Sequence, residues 1–205
     1  MPNILGRRSI APVVALMLAP AAFADGYNES ISGDLSNSAA APTPVTLTVG
    51  GTASIIGVVG GAENQDWITF TVPAGAQLTS ITLVSYASTD AQGFMGFQSG
   101  ATFAGSPFAA GSYAGYAHFG TGAVNGALPP TNLIGANMLP IMADPVLAAG
   151  ATGFTSPLGP GTYSMLFQQL GAAGTQYQFD FTLTPTPGAA TLAGLAATAA
   201  LRRRR

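Results

Sequence analysis

The stretch TQYQFDFTLT, residues 175–184, constrains the fold more than any other part of the chain. Tyr177, Phe179, Phe181 and Leu183 fall on one side of an extended backbone, and Gln176, Gln178, Asp180 and Thr182 on the other. Side chains alternate across a strand, so this pattern demands one apolar and one wet face. Such a strand cannot bury its aromatic side alone and needs a second layer. The same period recurs upstream. DWITFTVPAG (66–75) sets Trp67, Thr69 and Thr71 against Ile68, Phe70 and Val72. QLTSITLVSY (77–86) sets Leu78, Ser80, Thr82 and Val84 against Thr79, Ile81, Leu83 and Ser85, and leaves its inner face undecided. ASIIGVVGG (53–61) is apolar almost throughout and reads as a central strand. VTLTVGG (45–51), GFMGFQSG (93–100), SYAGYAHFG (112–120) and LGPGTYSMLFQQLG (158–171) complete the set.

The 27 glycines and 15 prolines punctuate these runs and keep them short. The expected fold is all-β, an antiparallel β-sandwich or jelly roll of about eight strands. DGYNESISGDLSNSAAA (25–41) reads as a polar linker or as an N-terminal strand such as YNESIS. The region 121–157 fits this plan least well, being rich in glycine, proline and asparagine. Within it LIGANMLPIM (133–142) is expected to pack as an irregular segment or a short strand. No long helix is expected between the two ends, and no internal repeat is present.

Charge is segregated along the chain. All six basic residues lie at the ends: Arg7, Arg8, Arg202, Arg203, Arg204 and Arg205. All eight acids, Asp25, Glu29, Asp34, Glu63, Asp66, Asp90, Asp144 and Asp180, lie between them. The formal charge of −2 becomes −8 when both ends are removed. A domain without a lysine or arginine has nothing to neutralise phosphates, which excludes ordinary nucleic-acid binding. There is no cysteine, so disulfides and thiolate metal sites are excluded too.

The ends read as addresses. Arg7 and Arg8, the apolar run from Ile10 to Phe23, and the small-x-small triplet Ala22-Phe23-Ala24 match a secretory leader cut by signal peptidase after Ala24. The apolar run is shorter than the roughly 20 residues of a spanning helix. At the other end Pro185-Thr186-Pro187-Gly188 interrupts any strand, Ala189 to Leu201 is small and apolar, and four arginines follow. A helix over those apolar residues reaches roughly 20 Å at 1.5 Å per residue. That is marginal against a hydrocarbon core of about 30 Å. The arginines favour the cytoplasmic side, so the tail reads as a transient membrane stop.

This order of Pro-x-Pro-Gly, apolar stretch and arginine run resembles the PEP-CTERM sorting signal of exported bacterial proteins. In this chain Thr186 stands where that signal has glutamate. The resemblance implies an exosortase-type processing enzyme acting near Pro187. DWITFTVPAGAQLTSITL, LGPGTYSMLFQQ and YQFDFTLT together resemble the bacterial pre-peptidase C-terminal (PPC) domains across 45–184. That resemblance implies a secreted β-sandwich with an accessory or adhesive role. The chain thus divides into a leader (1–24), an N-terminal polar segment (25–44), a sandwich domain (45–184) and a sorting tail (185–205).

Catalytic constellations are sparse. His118 is the only histidine. Asp90 and Asp144 are its candidate triad partners, but no G-x-S-x-G elbow accompanies them. Paired-carboxylate chemistry would draw on Glu63, Asp66, Asp90, Asp144 and Asp180. Glu63, Asn64 and Asp66 also offer oxygen ligands suited to calcium, though without EF-hand spacing. Trp67 reads as a core residue before it reads as a sugar platform. Asn28-Glu29-Ser30 fits the glycosylation sequon. The reading these features favour is a non-enzymatic protein of the cell surface or the extracellular polysaccharide matrix. A carbohydrate-binding module, with or without calcium, is the alternative, and a small hydrolase stands behind it.

Overall fold

Alternating side chains sort the chain into two facing layers. The structure, a computed structural model, describes residues 26–61, 65–171, 174–186 and 188. Within those residues the four-stranded sheet has the spatial order β1 (Gly26–Asn28), β3 (Thr52–Val59), β9 (Thr175–Pro185), β5 (Ala76–Ala87). The five-stranded sheet has the order β2 (Thr43–Pro44), β4 (Gln65–Val72), β8 (Gly161–Gln168), β6 (Gln92–Ser99), β7 (Gly115–Gly120). The all-β expectation holds. The pairing is not wholly antiparallel, since β1 runs parallel to β3 and β2 parallel to β4. Both exceptions are short edge strands, laid down as the N-terminal segment docks first on one sheet and then on the other.

Tyr177, Phe179, Phe181 and Leu183 of β9 all point inward and are buried. They meet the inner face of the five-stranded sheet ring to ring. Phe179 lies 5.0 Å from Phe119 and 5.1 Å from Phe167, and Phe181 lies 5.5 Å from Phe70. The strand β5 resists a simple face assignment because its register against β9 shifts twice, between Leu78 and Ser80 and between Leu83 and Ser85. Each bulge reverses which parity points inward. Leu78, Ile81, Leu83 and Tyr86 therefore all reach the core.

Three segments depart from the sequence reading. Residues 26–44 are neither a free linker nor one strand: β1 is followed by the helical turn α1 (Glu29–Ser32), Leu35 is buried, and β2 follows. Glu29 holds this segment in place, accepting the Leu35 N–H at 3.0 Å and the Val58 N–H at 2.6 Å. Residues 45–51 are not a strand. They cross from one sheet to the other, with Val45 N–H bonded to Thr69 O and Gly50 N–H to Leu183 O. A crossing segment cannot keep one ladder partner, whatever its β-propensity.

The third is 133–142, where a helix, α2 (Met138–Ala143), replaces the expected irregular segment or strand. Asn137 caps it through Leu139 N–H, and Met138, Leu139 and Met142 are buried. Pro140 falls in the first turn, where its missing N–H costs no helical bond. The same Asn137 amide plugs the open edge of β5, accepting from Ile81 N–H and donating to Thr79 O, each at 3.1 Å. Asn125 does likewise for β7, bonding both His118 N–H and His118 O. The long connection between β7 and β8 thus covers one edge of each sheet, β5 and β7.

Candidate binding groove on the five-stranded sheet

Strand register assembles a row of side chains on the outer face of the five-stranded sheet. Gln65 pairs with Gln168, Gln168 with Phe94, and Phe94 with His118. Paired residues share a face, so these four stand side by side across β4, β8, β6 and β7. In the adjoining row Trp67 pairs with Leu166, Leu166 with Gly96, and Gly96 with Tyr116. Gly96 is there for space: a Cβ would stand 2.6 Å from Cδ1 of Tyr113.

The chain between β6 and β7 folds back as a flap over the Trp67 row. Phe103 lies 4.8 Å from Trp67 and 5.0 Å from Tyr113, measured between ring centroids. Trp67, Phe103, Tyr113 and Leu166 make a second, smaller core on the outer face of this sheet. The Tyr113 hydroxyl donates to Pro107 O at 2.7 Å and pins the flap tip. Burial raises the Tyr113 phenol above its ordinary value of 10, so it remains a donor at any physiological pH.

Where the flap stops, a groove of about 410 Å³ opens between its tip and the Gln168 row. That size falls in the range of small-molecule sites, roughly 300–1,000 Å³. One wall is aromatic: Phe94 lies 5.7 Å from Tyr116 at 30° and 5.6 Å from His118 at 71°. The opposite rim carries Phe108, which is 72% exposed. Among the described residues the groove is lined by no lysine, arginine, aspartate or glutamate. Burial depresses the pKa of His118 below the ordinary 6.5, outweighing the hydrogen bond with the Val124 backbone. At neutral pH the described lining is therefore uncharged.

Its floor holds an unfinished hydrogen bond. Gln168 is 4% exposed, lines the groove, and its Nε2 donates to no acceptor. A buried idle donor costs about 1–3 kcal/mol, and such groups in native folds call for a reason. The neighbouring amides are occupied. Gln169 donates to Gln92 O and accepts from Gly171 N–H, while Gln92 Oε1 accepts from Val124 N–H. The Ser164 hydroxyl is also buried without a partner, but it lies outside the groove.

The residues singled out from sequence are dispersed. His118 lies in the groove. The Asp144 carboxylate accepts Val146 N–H beyond α2. Asp180 accepts the Ser54 hydroxyl at 2.6 Å on the outer face of the other sheet. Asp90 sits in the turn before β6, its N–H bonded to the Ser88 hydroxyl. Trp67 is fully buried, which removes it as a sugar platform. Asn28 caps α1 by accepting the Ser30 N–H.

Asp66, one of the three calcium candidates, points into the core, 1% exposed, and accepts the Tyr177 hydroxyl at 2.7 Å. Gly57 makes the approach possible, since a Cβ there would lie 2.5 Å from that hydroxyl. Burial first, and the Asp66 charge second, hold the Tyr177 phenol well above its ordinary value. Among the described residues no three acidic or imidazole side chains gather as a metal site. Glu63 and Asn64, the leader with Ala22 and Ala24, and the tail positions Pro187 and Arg202 to Arg205 lie outside the described residues. Pro185 is the last residue of β9, paired with Ala76, and Thr186 N–H bonds Gly75 O.

The structure thus defines a two-sheet β-sandwich with an uncharged aromatic groove on one outer face. Comparison with protein-family models, curated proteins and solved structures finds no match for the chain. Phe94, Tyr116, Phe108 and Gln168 did not stand out in the sequence. Each is one outward residue on its own strand or loop, and only register and the flap bring them together.

Proposed function

We propose that this chain is an exported, non-enzymatic bacterial module that acts at the cell surface or in the extracellular polysaccharide matrix. The observation that carries the reading is the segregation of charge: every arginine lies in the two end segments, and the folded span between them has none. The sheets begin with β1 at Gly26 and finish with β9 at Pro185. Cleavage after Ala24 and near Pro187 therefore spares every strand among the described residues. The tail, similar to a PEP-CTERM signal with Thr186 in place of glutamate, works as an address read by an exosortase-type enzyme. The membrane holds it only until that cut. A resemblance to PPC domains fits an accessory role, as does a groove built from aromatic rings and amides.

Intact mass and terminal peptide mapping on the protein from its native host test this reading. The expected mature chain begins near Asp25 and ends near Pro187. Arginines retained on the exported protein would overturn the sorting proposal.

A further inference from the structure

We propose that the groove between the flap tip and the Gln168 row binds a neutral glycan, with Gln168 Nε2 donating to a ring or hydroxyl oxygen and Phe94, Tyr116 and Phe108 covering the apolar C–H face of a sugar ring. The proposal goes beyond export and does not depend on it. Three properties of the groove select the ligand. The first is the idle donor: Gln168 lines the groove, and its Nε2 is buried without an acceptor. A ligand oxygen reaching it as the amide turns outward completes the bond that the fold leaves open. A purely apolar ligand would leave that donor unsatisfied and lose affinity for it.

The second is the wall. Phe94 and Tyr116 stand together at 5.7 Å, and Phe108 faces solvent on the opposite rim with nothing to cover it. Exposed aromatic surface at the mouth of a concave site is where binding energy collects. The third is neutrality. Among the described residues no formal charge lines the groove, and burial keeps His118 unprotonated at neutral pH. Beyond the groove, the span between the end segments carries eight carboxylates and no side-chain cation, a field that repels anions. Uronic-acid polymers, phosphorylated ligands and nucleic acids are disfavoured on that account. A pyranose chain combines apolar C–H faces, oxygen acceptors and zero charge. The calcium-dependent form of sugar binding is not part of the proposal, because Asp66 is committed to Tyr177 in the core.

The test is titration calorimetry of the full exported protein at pH 7 with neutral hexose and N-acetylhexosamine oligomers. A uronic-acid oligomer and a proline-rich peptide serve as the comparison ligands. Saturable binding of at least one neutral oligomer is expected, unchanged by chelator. Gln168→Leu keeps the volume and removes the donor, and is expected to weaken that binding about tenfold. Phe108→Ala, at an exposed position that leaves the core intact, is expected to weaken it about fivefold. Thermal melting accompanies each variant, and should Gln168→Leu fail to fold, Phe108→Ala decides alone. Three outcomes overturn the proposal: no neutral oligomer binds, binding survives Phe108→Ala and a folded Gln168→Leu unchanged, or the proline-rich peptide takes the groove in place of the sugar. Terminal mapping reads out export separately, so either reading can fail without the other.

Discussion

The two outer faces of this sandwich are built from the same kind of strand and end up in opposite conditions. On the four-stranded sheet the outward row is polar and wet. Thr52 shares a hydrogen bond with Thr182 at 3.1 Å, Ser54 donates to Asp180, and Gln178 reaches the same carboxylate. On the five-stranded sheet the outward face carries Trp67, Leu166 and Tyr116 in one row and Phe94 in the next, and a flap closes over Trp67 and Leu166. A wet face satisfies its polar groups with water. A covered face must satisfy them internally or leave them idle, and Gln168 is the group left idle at the edge of the cover. Function is to be sought where the second face passes from covered to open.

Breaking that asymmetry is expected to cost most at Trp67. Trp67→Ala empties the small core beneath the flap and should lose about 3–5 kcal/mol. Ser54→Ala on the wet face removes one half-buried bond and should lose about 1 kcal/mol. Denaturant unfolding of the two variants side by side measures the difference, and equal losses would show that the flap is not a core.

A smaller effect is expected from filling the space that seats the flap. Gly96→Ala drives a methyl into the Tyr113 ring and should cost about 1–3 kcal/mol, the usual range for overpacking. The flap should loosen with it, raising proteolysis at 101–112 ahead of global unfolding. Uniform cleavage along the chain would contradict this.

The smallest effect is the one with pH. Burial depresses the His118 pKa below its unfolded value of 6.5. The unfolded state then binds more protons, so this contribution to stability is fully present above pH 6.5 and is lost as pH falls through the folded pKa. Unfolding at pH 7.5 and pH 5.5 should show a decline that His118→Gln flattens. An identical decline in the variant would assign it to carboxylates, which titrate lower.

Much of the fold was legible because period-two alternation is a local property. The runs that became β4, β6, β7, β8 and β9 overlap their strands closely, and β9 shows the alternation most cleanly. The β5 run was readable as a strand but not as a face, since two bulges change its parity partway. The stretch 45–51 misled because β-branched residues suit a crossing segment as well as a ladder. Helix α2 stayed hidden because six residues carry little periodic signal, and its capping Asn137 is anchored to β5, distant in sequence. In the groove only His118 was visible beforehand, by being the sole histidine. Asp66 looked like a surface ligand until β4 turned it toward Tyr177.

The amino-acid order alone accounts for the class of fold, the segregation of every cation into the end segments, and the absence of cysteine chemistry. These are properties of spacing and composition, complete before any two distant residues meet. Which outer face stays wet, where the flap rests, and why Gln168 lacks an acceptor were decided only in the folded molecule. Those features depend on register between strands far apart in the chain, and register follows from how two sheets share one core.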